Sequence, residues 1–253
     1  MSVVALVSAG HSPGVTTTAL GLTLEWPGQA LLVDADPHPT QSVLAGFLGG
    51  QDPLGNGLWQ VLSAYREERE LPAAIEEAAL PLGVSRDFQR RFLPGFAHPG
   101  MADLFTPAWT DFMAALGERP GDVLIDLGRV APRGLLAAVA AQAEAVLMLT
   151  GSSLVQLAAL RLHLPQVTAV VPADRFRIVV VGPDRPYSSR EIAGQFDGGV
   201  TDTVPWTPDD AAVLSDGAPR RRSFGRYLGS LGRLAAALAE AKDARRRLIG
   251  APG

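Results

Sequence analysis

The sequence predicts an α/β fold, a three-layer α/β/α arrangement around a mostly parallel central sheet, and three observations carry that prediction. Val3–Ser8, Ala30–Asp34, Val123–Asp126, Val146–Thr150 and Phe176–Val181 are short apolar runs rich in valine, isoleucine and leucine, as expected of strands buried on both faces. Longer stretches with helical apolar spacing separate them: Val15–Glu25, Pro107–Leu116, Arg133–Ala143, Ser153–Leu164 and Ser188–Phe196. Glycines or carboxylates follow several of the runs directly, at the carboxyl ends where right-handed βαβ sheets place their ligands.

The remaining elements are read the same way. Between Gln51 and Pro99 the pattern is less regular; helices are predicted near Leu58–Arg66 and Pro72–Ala79, and a short strand at Arg91–Leu93. Phe224–Leu248 reads as one long helix with arginines at its end, which complement the helix macrodipole. No repeat, low-complexity linker or break in composition divides the chain. Residues 1–253 are therefore expected to form one domain, as α/β sheets of this size commonly do.

Composition excludes several classes. At 47% hydrophobic, 19% charged and 6% aromatic residues, the chain packs aliphatic strands under alanine- and leucine-rich helices. It has no cysteine, so disulfides, thiolate chemistry and cysteine-ligated zinc are excluded and a cytoplasmic location is expected. The first residues lack the basic region of a signal peptide, and no apolar stretch reaches transmembrane length. A net charge of -4 argues against a protein that coats nucleic acid generally. The one lysine is Lys242, so no ammonium group is available to a site formed earlier in the chain.

The strand Val3–Ser8 runs into Ala9-Gly10-His11-Ser12-Pro13-Gly14-Val15-Thr16-Thr17-Thr18 and then into a helix. In a strand, tight loop and helix of this kind, backbone N–H groups and the helix N-terminus cradle phosphate, and a threonine hydroxyl reaches magnesium. The loop resembles the deviant Walker A motif of the ParA/MinD ATPases, in which a signature lysine, two glycines, a variable residue and Gly-Lys-Thr-Thr follow one another. Gly14, Thr16 and Thr17 match. Gly10 stands at the signature lysine, His11 and Ser12 at the two glycines, Pro13 at the variable residue and Val15 at the Walker lysine.

Both cationic positions are thus empty. A charge-assisted hydrogen bond is worth about 1.5–3 kcal/mol, roughly one to two decades of affinity. Losing a preorganised donor to the transition state costs on the order of 100- to 1000-fold in rate. The resemblance therefore implies weak binding of ATP or ADP with Mg2+ and slow or absent hydrolysis, a pseudo-ATPase. Two readings stay open for the replacements. Arg129, beyond the strand Val123–Asp126, either brings its guanidinium to the loop or pairs with a surface carboxylate; His11 either meets phosphate when protonated or is a solvated loop residue.

Carboxylates complete the resemblance. Asp34-Ala35-Asp36-Pro37 resembles the switch I stretch of the family, which implies that Asp34 lies near magnesium and that Asp36 orients the attacking water; both are expected on one side of an extended segment. Asp126 resembles the Walker B aspartate, which makes Thr16, Asp34 and Asp126 the implied metal-site residues. Gly182 or Pro183 stands where the family has a base-reading asparagine. In Val204-Pro205-Trp206-Thr207-Pro208, Trp206 either stacks on the base or is a core tryptophan.

By resemblance the protein is a homodimer that recruits a protein partner. Divergent Walker A loops also occur in the TadZ/CpaE branch, which positions pilus machinery at a cell pole, and this makes a positioning or recruitment role the expectation. The alternative is a ParA-type partition ATPase that binds DNA non-specifically through Arg220, Arg221, Arg222, Arg226 and Arg233. The end of the chain, Lys242 to Gly250, is faintly similar to the membrane-targeting tail of MinD. Its Leu248 and Ile249 supply roughly 3–6 kcal/mol of burial, so membrane anchoring would need a second signal.

Overall fold

In the computed structural model, residues 2–50, 57–85, 88–98, 100–130, 135–196 and 199–250 are described. The strands are β1 (Val3–Ser8), β2 (Ala30–Asp34), β3 (Leu80–Ser85), β4 (Phe88–Leu93), β5 (Asp122–Arg129), β6 (Ala145–Gly151), β7 (Phe176–Val181) and β8 (Val200–Val204). The α-helices are α1 (Val15–Glu25), α2 (Leu58–Arg66), α3 (Leu71–Ala78), α4 (Gly100–Phe105), α5 (Trp109–Glu118), α6 (Leu135–Gln142), α7 (Leu154–Thr168), α8 (Ser189–Ala193), α9 (Pro208–Ser215) and α10 (Phe224–Gly250), with a π-helical turn at Ser42–Phe47. Arg133, where the sequence places the start of the helix before β6, lies outside the described residues, as do the side chains of Leu248 and Ile249.

The strands form one sheet in the order β3-β4-β2-β5-β1-β6-β7-β8. Every pairing is parallel except β3 with β4. Because side chains alternate along a strand, each central strand feeds two cores. Val3, Ala5 and Val7 of β1 join Leu31, Val33, Val123, Ile125, Val146 and Met148 under α2–α8. Val4 and Leu6 join Leu32, Leu124, Leu147 and Leu149 under α1, α9 and α10. The apolar runs are continuous because both faces are covered.

Three departures from the sequence reading have local causes. The single strand predicted at Arg91–Leu93 is the inner half of a hairpin whose outer arm, β3, is broken by Pro81 and Gly83 at a register shift. At the opposite edge, β8 carries Thr201, Asp202 and Thr203, because an edge strand with a solvated side needs no apolar run. The π-helical turn is fixed by tertiary packing: a Cβ on Gly46 would lie 2.0 Å from the Ser215 carbonyl oxygen at the end of α9.

The lysine that the sequence singles out is structural. Its Nζ lies 2.8 Å from Asp122 Oδ2 at the amino end of β5, and the same oxygen accepts the Trp26 Nε1–H bond at 2.8 Å. This ties α10 to the sheet at the end opposite the loop after β1. Both side chains are largely buried, and removing one partner of such a pair leaves the other charge poorly compensated. Lys242→Met is expected to lower stability by about 2–3 kcal/mol, read from urea unfolding, and Asp122→Asn in the same chain should restore part of the loss.

Candidate functional site

The loop between β1 and α1 lies at the carboxyl end of the sheet, between β5 and β6. Its backbone is left-handed over most of its length, with φ of 141° at Gly10, 59° at His11, 46° at Ser12 and 89° at Gly14. Gly14 forms the N-cap of α1, whose first turn closes with the Thr18 N–H donating to the Gly14 carbonyl at 2.9 Å. Glycine adopts such angles freely, whereas His11 and Ser12 hold them at about 1 kcal/mol or more each. Successive backbone N–H groups in turns of this kind form anion-binding concavities.

Register brings the carboxylates to this loop. Asp34 pairs in register with Asp126 across β2 and β5, and Leu6 of β1 pairs with Asp126 on its other side. The period of two puts Asp34 with Leu32 and Asp126 with Leu124, on the face covered by α1. Asp36 follows, its N–H donating to Asp34 Oδ1 at 3.2 Å, while the His38 N–H donates to Asp36 Oδ1 at 2.8 Å. These side-chain bonds are Asx interactions; the Ala35 N–H still donates to the Asp126 carbonyl at 2.8 Å, and the chain bends only at Pro37 and His38.

All three carboxyls are pushed above the ordinary carboxylate range, and burial is the main cause for each. Asp126 rises to about 6 although the Thr16 hydroxyl and the Gly128 N–H favour its charged form. Asp34 is raised well above its usual value, the neighbouring Asp126 charge adding to burial. For Asp36, His38 and Arg129 oppose the rise. Asp126 Oδ1 accepts the Gly128 N–H bond at 2.8 Å, but Oδ2 is buried and makes no hydrogen bond of ordinary geometry, with the Thr16 hydroxyl the favourable neighbour. An orphaned carboxylate oxygen next to a threonine hydroxyl suits a divalent cation. Among the described residues no three His, Asp or Glu side chains form a closed metal cage, an arrangement that magnesium, which keeps waters and phosphate oxygens as ligands, does not require.

Val15 occupies the position of the expected Walker lysine and is only 6% exposed. It packs in the apolar cluster with Val4, Leu6, Ala19 and Leu20. A cation reaches the loop from another strand: Arg129, at the end of β5 and in register with Ser8, donates from Nη2 to Ser12 Oγ at 3.1 Å. Of the two readings of Arg129, the structure has the one that brings the guanidinium to the loop.

No protein-family model and no curated protein matches the sequence. Solved structures do. A ParA family ATPase from Chlorobium tepidum TLS superposes with a TM-score of 0.72 at 15% identity, covering 93% of this chain and 98% of that one. The septum site-determining protein MinD of Pyrococcus horikoshii, complexed with Mg-ADP, gives 0.68 at 16% identity over 94% and 95% of the two chains. The ATP complex of a Cyanothece McdA variant gives 0.64 at 18% identity over 96% of each. This chain has the ParA/MinD fold.

Within the ParA/MinD fold, the sheet brings Gly10–Thr17, Asp34, Asp36, Asp126 and Arg129 together, while Trp206 stands apart beyond β8. Trp206 is 45% exposed and so is not a core residue; the Arg185 guanidinium lies over its ring, 5.6 Å from the centroid. Ser152 braces this end of the sheet, donating from Oγ to the Gly182 carbonyl at 2.6 Å and accepting from the Arg185 N–H at 3.0 Å.

Sequence reasoning passed over two glycines. A Cβ on Gly128 would lie 2.1 Å from Asp36 Cγ, and one on Gly95 would lie 2.7 Å from Asp34 Cγ. The signal for Gly128 is its place directly after a strand that ends in carboxylate; Gly95 carries no such signal, because it approaches Asp34 only through the β2–β4 pairing.

The buried charges have a pH signature. Because the folded-state pKa of Asp126 is above the unfolded value of 3.8, the folded chain binds this proton more tightly. Its destabilising effect is absent below 3.8, grows as pH rises towards about 6 and is complete above that. Asp126→Asn is expected to stabilise the protein by about 2 kcal/mol near pH 7.5, and the gain should vanish by about pH 4 in denaturant titrations.

Proposed function

We propose that the chain is a positioning or recruitment protein of ParA/MinD type that binds a magnesium nucleotide weakly and hydrolyses it slowly or not at all. The observation that carries this reading is the burial of Val15 in the apolar cluster beneath α1, at the position where a lysine would meet the transferred phosphate. The loop from Ala9 to Thr18 contains no lysine or arginine, which removes the donor that would strengthen as charge develops in the transition state.

The loop nonetheless keeps the features of a ground-state binding site. Backbone N–H groups of the loop from Gly10 to Thr17, Pro13 aside, would hold the phosphates; Thr16, Asp34 and Asp126 would hold magnesium, and the Arg129 guanidinium beside Ser12 supplies a cation. A bound magnesium ion neutralises phosphate charge. Asp36, positioned by the His38 N–H and close against Gly128, would orient a water in any residual hydrolysis. An exposed Trp206, capped by Arg185, offers a stacking face to a base.

Nucleotide occupancy without turnover suits a protein whose state is read by a partner. A MinC:MinD complex from Aquifex aeolicus is among the similar structures, and we propose by analogy that this chain acts as a homodimer that recruits a protein, in the manner of the TadZ/CpaE branch at pilus or secretion machinery. The partition reading draws on Arg220 and Arg221, exposed residues in the segment before α10; Arg221 is held by Asp209 at 2.6 Å and Arg220 lies over Phe224. No helix among the described residues is long and apolar enough to cross a membrane.

Calorimetry with ATP and magnesium, followed by phosphate release with and without DNA, separates the two. Binding with negligible release is expected, and Arg129→Ala should weaken binding roughly 10- to 100-fold with Arg129→Lys recovering part. DNA-stimulated turnover as fast as that of an intact ParA would establish the partition reading instead.

A further inference from the structure

The sheet is open at β8, which among the described residues pairs only with β7. The helices beside it cover opposite faces: Ile192 of α8 belongs to one core and Leu234 of α10 to the other. Between them, along the exposed edge of β8, runs a groove of about 700 Å³ with Thr201 and Thr203 at its floor, Arg190 and Ala193 on one wall and Arg233 and Leu234 on the other. An unpaired strand between two walls has the shape that accepts an additional strand, about 4.8 Å away, through main-chain hydrogen bonds.

Charge selects the occupant. Asp202, the one acid among the described residues that line the groove, is answered by Arg177 at 3.9 Å. Arg190 and Arg233 are exposed, and among the described residues neither is in an ion pair. They stand on opposite walls, so each meets a different row of side chains on an extended chain, whose residues alternate between faces. We propose that this groove docks an extended acidic peptide segment as a ninth strand, with acidic residues at adjacent positions so that one reaches Arg190 and the next Arg233. A second copy of this chain is the poorer occupant, because pairing β8 with β8 about a two-fold axis places the same arginines face to face. The register shift at Thr201, whose hydroxyl donates to the Ile178 carbonyl at 3.0 Å, confines regular pairing to Asp202–Val204 and so to a short segment. The inference is independent of the nucleotide reading, since none of these residues belongs to the loop after β1.

The test uses the full chain without nucleotide and three labelled, end-blocked hexapeptides: Thr-Val-Glu-Glu-Val-Thr, its isomer Thr-Glu-Val-Glu-Val-Thr with both acids on one face, and Thr-Val-Lys-Lys-Val-Thr. Anisotropy should show the first binding, the isomer roughly three- to tenfold weaker and the lysine peptide not at all. Amide hydrogen exchange at Thr203, whose N–H faces away from β7, should slow on binding. Arg190→Glu with Arg233→Glu, both surface changes, should weaken the acidic peptide at least roughly tenfold and let the lysine peptide bind. The proposal is overturned by no binding at millimolar peptide, by binding that leaves the Thr203 amide unprotected or ignores the charge reversal, or by self-association of the peptide-free chain that protects the same amide.

Discussion

Three parallel strands, β2, β5 and β1, hold Asp34, Asp126 and the loop after Ser8 at one end of the sheet, and the chemistry available there follows from that register. Asp34 is the in-register partner of Asp126, and both face the helix that the loop begins. Neighbouring strands are about 4.8 Å apart, so two carboxylates in this relation repel unless a cation or a proton is shared between them. Burial adds to the repulsion. Both effects push the two carboxyls towards the protonated form, and a divalent cation would relieve the same repulsion by charge.

The loop pairs a backbone suited to anions with side chains that supply little charge. His11 and Ser12 retain left-handed angles that suit glycine, so the concavity of N–H groups persists at a conformational cost. At Val15 the change is of another kind, because an aliphatic side chain is stabilised by the core beneath α1 and a lysine there would have to reach away from it. Arg129 restores a cation from a neighbouring strand, but attached to Ser12 and not to the first turn of the helix. Anion binding needs only charge nearby, whereas rate enhancement needs charge placed where it develops.

Elements with a strong pattern were legible. The doubly buried strands, α1, α2, α3, α5, α6, α7, α8 and α10 announced themselves because burial on both faces or on one stripe demands apolar residues at fixed spacing. The two edges of the sheet did not. β3 contains Pro81 and Gly83, and β8 is largely polar, since strands with one side in solvent are held by main-chain pairing that composition does not record. α9 and the π-helical turn were missed for a related reason: they are positioned by contact with one another, through Gly46 and Ser215.

By itself the sequence determined the layer order, the place of the phosphate-type loop after β1, the candidate carboxylates and the lack of any lysine before Lys242, because each is a matter of residue type and local spacing. Tertiary structure alone decided that Arg129 reaches Ser12, that Val15 turns into the core, that Trp206 is exposed under Arg185 and that Lys242 serves as a clamp on Asp122. Each of these depends on contacts between residues distant in the chain, and the free energy of such a contact is set by burial and by neighbouring charge, which exist only once the sheet has assembled.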